Sequence, residues 1–274
     1  MTTRDIALRD WLTVVSHNVF GAPGVGGYRS RMHKIGRGIA AEQPDVVMLQ
    51  EVYTRGGVKL FRKLLPELPH ATYLPGRIGP KAALLVMSKE PADEVRFLEF
   101  STRWQDAGKG YRKGALACFI GGVWYVNFHV SSNPRAVHDE SHPVLVAQSR
   151  QIEVLVNFID KLGDRPKVVG GDSNVSRSTR LYRRLEAGAR LINPFDDTTT
   201  LCGPEGVSWC VDVLAIEGWA EVETETSLLF TGQTARWTQF RQWPKLKGGV
   251  VSDHNGLKLR LRLRRRARGA LPYR

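Results

Sequence analysis

Cysteine is scarce in this sequence, and the spacing of the few cysteines argues against a disulfide-bonded or zinc-binding protein. The 274 residues include three cysteines, Cys118, Cys202 and Cys210, which cannot all pair within one chain. They also lack the CxxC spacing of a zinc site or a redox pair. The simplest interpretation is a set of reduced thiols in a cytoplasmic protein.

Long apolar runs are lacking as well. The longest apolar stretch, residues 115–130, is interrupted by Gly121, Gly122, Asn127 and His129 and is too short to span a bilayer. The first ten residues carry charges where a signal peptide needs an apolar segment. From these features we expect no transmembrane segment, no export and a cytoplasmic location.

Acidic residues are too few to balance the basic ones. The chain has 40 Lys and Arg against 27 Asp and Glu, a formal net charge of +13, while 42% hydrophobic residues are enough for a sizeable core. The excess predicts a polyanionic partner, either nucleic acid or an anionic membrane surface. Basic residues alternate with leucines up to Leu263, which predicts a half-buried strand with a solvated basic face. Residues 264–274 are expected to form a basic tail.

The rest of the chain alternates short apolar strands with helices, which predicts a mixed sheet covered by helices. A Gly121-Gly122 pair between two apolar runs is typical of a hairpin, because both residues of such a turn need a positive φ. Helices are expected at residues 31–42, 58–65 and 143–162. Strands are expected at residues 12–20, 45–50, 82–88, 115–120, 123–130, 167–171, 211–216 and 256–263.

Acids, amides and imidazoles stand where several of these strands end. They are Asn18, Glu51, His129, Asp172, Asn174, Asp253 and His254. Since alternate residues of a strand point to opposite faces, His17 and Asn18 cannot both face one site. Hard oxygen donors of this kind suit Mg²⁺ or Mn²⁺ rather than zinc, which favours Cys and His.

The residues of these segments and their order along the chain resemble the motifs of the endonuclease/exonuclease/phosphatase (DNase I-like) superfamily. The similar segments are "SHNVFG", "QPDVVMLQEV", "YVNFHV", "VVGGDSNV", "WCVDVLAI" and "VSDH", and together they span residues 12–263. The resemblance implies one catalytic domain over those residues. It also implies a four-layered α/β sandwich, in which two mixed β-sheets pack face to face with helices outside.

The resemblance also implies roles for the polar residues. Glu51 matches the main metal ligand, with Asn18 and Asp253 beside it, and the ion is Mg²⁺ with Mn²⁺ as the alternative. An ion there neutralises charge that develops on a phosphate. Asp172 matches the residue that orients or deprotonates the attacking water, and Asn174 matches a ligand of the phosphate or nucleophile.

Two histidines complete the implied machinery. His254 matches the base that contacts the scissile phosphate, and Asp212 matches its orienting carboxylate. His129 matches a general acid or a phosphate clamp, either of which suits a pKa near neutrality. The acid that many nucleases carry two residues after the first Asn is Phe20 here, so a second metal is not implied. The stretch 77–82 contains no carboxylate to orient His129.

Substrate contacts are expected from two further segments. Aromatics interleaved with cations, Arg236, Trp237, Arg241 and Trp243, can stack on bases, anchor a loop onto the core or enter a lipid interface. Lys113 is a weaker candidate for facing the site. The sequence thus favours a monomeric nuclease acting on DNA or RNA. The alternatives are a phospholipid phosphodiesterase of the neutral-sphingomyelinase type and a non-catalytic phosphate-binding module.

Overall fold

Two β-sheets form the centre of the computed structural model. It describes residues 11–22, 26–100, 112–133, 139, 141–195, 201–202, 208–209, 211–218, 222–231, 233 and 251–263. The strands are β1 (Leu12–Asn18), β2 (Val46–Gln50), β3 (His70–Thr72), β4 (Leu85–Ser88), β5 (Glu94–Glu99), β6 (Gly114–Ile120), β7 (Val123–His129), β8 (Lys167–Asp172), β9 (Leu201–Cys202), β10 (Ser208–Trp209), β11 (Asp212–Glu217), β12 (Val222–Leu229) and β13 (Gly256–Leu263). The helices are α1 (Tyr28–Ala41), α2 (Arg55–Leu64), α3 (Pro143–Asp160) and α4 (Arg180–Gly188).

Both large sheets are mixed. One has six strands in the order β12-β13-β1-β2-β4-β3, and the other has five in the order β11-β8-β7-β6-β5. The pairs β1–β2 and β7–β8 are parallel, and the other neighbours in these two sheets are antiparallel. The strands β9 and β10 form a separate small pair. The expected four-layered sandwich is confirmed.

Three apolar clusters separate the layers. One cluster fills the space between the sheets and includes Val14, Met48 and Leu214. A second packs α1 and α2 onto the six-stranded sheet, and a third packs α3 and α4 onto the five-stranded sheet. Helix α1 buries Met32 and Ile35, spaced so that one stripe of the helix faces the sheet.

Close packing of the two sheets depends on a small residue in β8. A Cβ added to Gly170 would lie 2.5 Å from Cε of Met48 and 3.2 Å from Cβ of Ser16, both in the facing sheet. A larger residue would force the Met48 side chain to move and would crowd Ser16, because these contacts are shorter than ordinary carbon contacts. Gly170 thus leaves room for close contact between strands that carry polar residues at their ends.

Strand β13 differs in one respect from the basic strand that the sequence predicts. Strand β13 is half-buried as expected, but its outward cations meet acids. Arg260 and Arg262 lie opposite Glu225 and Glu223 of β12 and form ion pairs with them. Lys258 pairs with Glu42 at 2.7 Å. The basic face that the sequence predicted for this strand is therefore neutralised.

Candidate active site

The candidate site lies at the edge of the sandwich where its strands end. Asn18 ends β1, His129 ends β7 and Asp172 ends β8. Asp212 begins β11, which is antiparallel to β8, and so reaches the same edge. Glu51 directly follows β2, which is parallel to β1. The topology therefore collects residues distant in sequence from both sheets.

His254 is held by a carboxylate. Its Nδ1 lies 2.8 Å from Oδ2 of Asp212, and both residues are buried. Burial alone would lower the pKa of His254, but the carboxylates of Asp212, Asp172 and Asp253 outweigh burial and raise it well above 6.5. The imidazole is therefore held as a cation whose Nε2 faces Asp172, 3.7 Å from its Oδ2.

Asp172 lies at the centre of the cluster. Its Oδ2 accepts a hydrogen bond from Nδ2 of Asn18 at 3.0 Å and lies 3.3 Å from Nε2 of His129. Its Oδ1 accepts from the main-chain N–H of Asn174 at 2.8 Å. Burial raises the pKa of Asp172, but His254, His129 and Lys113 together hold it well below its usual value. Asp172 is thus an ionised carboxylate bordered by cations and N–H donors.

His129 has a partner that the sequence did not identify. Nζ of Lys113 lies 2.7 Å from Nε2 and 3.0 Å from Nδ1 of the ring. Burial, followed by the Lys113 ammonium, lowers the pKa of His129 against the opposing effects of Asp172 and Glu51. Burial also lowers the pKa of Lys113. The basic member of this pair is therefore lysine, and the imidazole is neutral.

The remaining carboxylates form an anionic corner. Burial raises the pKa of Asp253 to about 6, with the charges of Glu51 and Asp172 adding to the effect and His254 opposing it. Oε1 of Glu51 lies 3.9 Å from Nε2 of His129. Oδ1 of Asn18 accepts one hydrogen bond, from N–H of Phe20 at 3.0 Å, and retains a second lone pair. Repelling carboxylates beside an amide oxygen fit a hard divalent cation.

A different trio also has the spacing of metal ligands. One ligand atom from each of Asp172, Asp212 and His254 lies within 4.8 Å of the others. Two members of this trio are engaged with each other, however, because Oδ2 of Asp212 lies 2.8 Å from Nδ1 of His254. The donor chemistry therefore favours the Glu51 corner for a cation, and the Asp172–His254–Asp212 chain for handling protons.

Backbone conformation at two site residues is unusual. Glu51 has φ 63° and Asn174 has φ 50°, in the left-handed region. Asn is enriched in this region, whereas Glu rarely adopts it. Nδ2 of Asn174 donates to the carbonyl of Val130 at 2.9 Å, and its own carbonyl accepts from Gln148. Such strain is typical of functional sites, where the surrounding structure fixes the direction of a side chain.

Sequence reasoning missed Arg31, which lies fully buried behind the site. Its guanidinium donates to the carbonyls of Val19 and Val251 at 3.2 Å and of Phe20 at 2.8 Å. It thereby joins the segments that carry Asn18 and Asp253. A signal was present, because Arg31 occupies the same helical stripe as the buried Ile35 and Ile39.

The structure brings together every predicted site residue that it describes, including Lys113. The candidate substrate residues Arg236, Trp237, Arg241 and Trp243, and the expected tail at 264–274, lie outside the described residues. Among the helices of the described residues, none is both long and apolar enough to cross a membrane.

The fold and the site together are those of a phosphoesterase. The sequence profile of the Endonuclease/Exonuclease/phosphatase family matches residues 15–254, and the chain belongs to this family. No curated protein matches the chain significantly.

Solved structures similar to this chain come from several organisms. A crystal structure of beta toxin from Staphylococcus aureus (F277A, P278A mutant) with bound magnesium ions has a TM-score of 0.70 and 18% identity, over 90% of this chain and 98% of that chain. Sphingomyelinase C from Streptomyces griseocarneus has a TM-score of 0.66 and 17% identity, over 92% and 99%. TDP2 from D. rerio, complexed with a single-strand DNA product, has a TM-score of 0.66 and 16% identity, over 92% and 99%. At these identities the likeness establishes the fold alone.

Proposed function

We propose that this protein is a divalent-metal-dependent nuclease that hydrolyses phosphodiester bonds in DNA, with RNA as a further substrate. The observation that carries the proposal is the position of Asp172. This ionised carboxylate lies within 4 Å of two imidazoles, His129 and His254, beside the anionic corner of Glu51 and Asp253. A buried, ionised carboxylate that is bordered by the His254 cation and the Lys113 ammonium can hold and orient a water molecule next to a bound phosphate.

Glu51, Asp253 and Asn18 would hold the cation. Magnesium is our first choice, supported by the oxygen donor set and by the magnesium-bound beta toxin structure, with manganese as the alternative. When bound, the ion supplies Lewis-acid stabilisation of the phosphoryl oxygens.

The other residues divide the work of hydrolysis. Asp172 orients the attacking water and takes its proton. His254, kept cationic and oriented by Asp212, donates a hydrogen bond to a phosphoryl oxygen. Lys113, through its contact with His129, supplies positive charge and a proton on the side of the leaving oxygen. Asn174 fixes the direction of Asp172 by its main-chain N–H.

DNA is preferred as the substrate on grounds of charge. The net charge of +13 suits a polymer of phosphates, and the TDP2 structure shows this fold with a DNA product. The second candidate is a phospholipid phosphodiesterase, supported by the similarity to sphingomyelinase C. Large hydrophobic residues exposed in the described part of the chain are scattered, at Ile78, Val95, Val154 and Ile192, which weakens the lipid alternative.

One activity panel tests the proposal. Plasmid DNA, single-stranded DNA, RNA, sphingomyelin vesicles and an inositol phosphate are each incubated with Mg²⁺, Mn²⁺ or EDTA, and Glu51→Gln serves as the blank. We expect metal-dependent cleavage of DNA that is lost in EDTA and in the variant. Cleavage of sphingomyelin without cleavage of any nucleic acid would establish the lipid alternative instead.

A further inference from the structure

The two helices that cover the six-stranded sheet contain basic residues and no acid. Helices α1 and α2 together hold eight Lys and Arg over 24 residues, and neither contains an Asp or Glu. On the opposite side of the sandwich, α3 carries Glu153 and Asp160, and α4 carries Glu186. The imbalance of the α1–α2 layer is therefore specific to one face of the molecule.

Six of these cations point into solvent without a partner. They are Arg29, Arg37, Arg55, Lys59, Arg62 and Lys63, and all six are exposed. None of their side chains makes an ion pair or a hydrogen bond within the described residues, whereas the side chains of the β13 cations are paired. Arg29, Ser30, His33, Lys34 and Arg37 lie together on one open face of α1. An unneutralised field of this kind attracts polyanions.

The basic face begins at the active-site edge. β1 and β2 are parallel, and each is followed by one of the helices, so both helices start at the edge that carries Asn18 and Glu51. Arg29 and Arg55 lie in the first turns, where a cation opposes the helix dipole. The 14 residues of α1 extend about 21 Å away from that edge.

We propose that the exposed faces of α1 and α2 form a track for the phosphate backbone of nucleic acid outside the active site. The track rests on the proposed nuclease function and adds a binding surface to it. Residues four apart on α1, such as Arg29, His33 and Arg37, are spaced about 6 Å along the axis, so each can contact a separate phosphate. A membrane surface fits less well, because none of the large exposed hydrophobic residues of the described chain lies on α1 or α2.

The test compares two quadruple variants with the same change in charge. The track variant carries Arg37→Gln, Lys59→Gln, Arg62→Gln and Lys63→Gln, all away from the site. The control carries Arg150→Gln, Arg180→Gln, Arg183→Gln and Arg184→Gln, which are exposed on α3 and α4. Binding to a DNA duplex is measured as a function of salt in a Glu51→Gln background, which prevents cleavage. Hydrolysis of bis(p-nitrophenyl) phosphate is measured with Glu51 intact.

We expect the track variant to bind duplex DNA about tenfold or more weakly at low salt, and the log–log salt slope to fall by about 0.9 for each cation that neutralises a phosphate. The control should change affinity by less than about twofold, and neither variant should alter hydrolysis of the small substrate.

Equal losses in both variants would overturn the proposal, since net charge alone would then explain them. Unchanged DNA binding would also overturn it, and so would a loss seen only in binding to phosphatidylserine vesicles, which is measured in parallel. DNA binding is measured independently of DNA cleavage by the wild type. A wrong assignment of the track can therefore be distinguished from a wrong proposed function.

Discussion

The side-chain amide of Asn18 donates a hydrogen bond of 3.0 Å to Oδ2 of Asp172, and this bond joins the two sheets. Asn18 belongs to the six-stranded sheet and Asp172 to the five-stranded sheet. The distance between the proposed cation corner and the proposed base therefore depends on how closely the sheets pack. Any change in sheet spacing should affect catalysis more than it affects the local fold of either sheet.

Gly170→Val tests this dependence. The added side chain would meet Met48 and Ser16 of the facing sheet, so we expect a loss of about 1–3 kcal/mol of stability from overpacking. Because Asp172 lies two residues away, we also expect a fall in kcat of about tenfold or more. Chemical denaturation and steady-state kinetics measure the two effects. Gly56→Ala in α2 is the control, since its Cβ would meet only Oγ1 of Thr54 at 3.7 Å, and it should retain full activity.

Glu51→Gln should remove metal binding while leaving the fold intact. Mg²⁺ that binds only the native state stabilises it by RT ln(1 + c/Kd) at a free Mg²⁺ concentration c, so we expect a thermal shift that grows with Mg²⁺ concentration in the wild type and none in the variant. An amide oxygen binds a hard cation far more weakly than a carboxylate does. Exposed Glu94 supplies the control, Glu94→Gln, which should keep the shift. A thermal shift that persists undiminished in Glu51→Gln would assign the ion to other residues.

His254 and Asp212 should act as one unit. His254→Ala is expected to lower kcat by about 100-fold or more, the usual effect of losing a positioned acid or base. Asp212→Asn should reproduce part of that loss, because the 2.8 Å contact orients the imidazole and keeps it charged. The double variant should be no worse than His254→Ala alone, since interacting residues are not additive. Additive losses would show that the two residues act independently.

Lys113 should matter through its charge. Lys113→Met is expected to lower kcat by about 100-fold with little change in Tm, because a preorganised cation near the reacting phosphate is lost. Lys113→Arg keeps the charge and should recover part of the activity. Lys161→Met, an exposed change beyond the end of α3, is the matched control and should behave as the wild type. Full activity in Lys113→Met would show that the contact between Lys113 and His129 has no role in catalysis.

Cys118 should be inert until the protein unfolds. Burial raises the pKa of its thiol to about 12, so only about one thiol in ten thousand is ionised at pH 8. In a Cys202→Ser, Cys210→Ser background, a disulfide reagent should therefore label the native protein slowly and the denatured protein at once. Rapid labelling of the native state would place Cys118 at an accessible surface.

Periodicity and turn chemistry predicted most of the fold. The Gly121-Gly122 hairpin formed as expected, with φ of 55° and 87°. The order of polar strand ends predicted which residues meet at the site edge. Strand β12 was missed, because its exposed residues, Thr224 among them, lack an apolar alternation. Because β12 was missed, the acids of β12 that lie opposite the cations of β13 were also missed.

Two features of the site, the contacts of Lys113 and of Arg31, depend on tertiary packing. Lys113 precedes β6, and its contact with His129 follows from where the chain enters the strand. The helical stripe of Ile35 and Ile39 indicates that Arg31 is buried, but only the carbonyls of distant segments explain how its charge is accommodated there. Long-range contacts of this kind decide the geometry of the site, whereas local sequence decides which strand ends carry it.

The place of β13 in its sheet bears on synthesis of the protein. This strand is the last in the described chain, yet it lies between β12 and β1 in the sheet. A ribosome-bound chain that has not reached residue 256 therefore has β1 unpaired along one side. The carbonyl of Val251, which accepts a hydrogen bond from Arg31, is made only a few residues before β13. Nascent chains that lack β13 should thus be inactive and prone to edge-to-edge association, and activity should appear only after residues 256–263 have emerged from the ribosome.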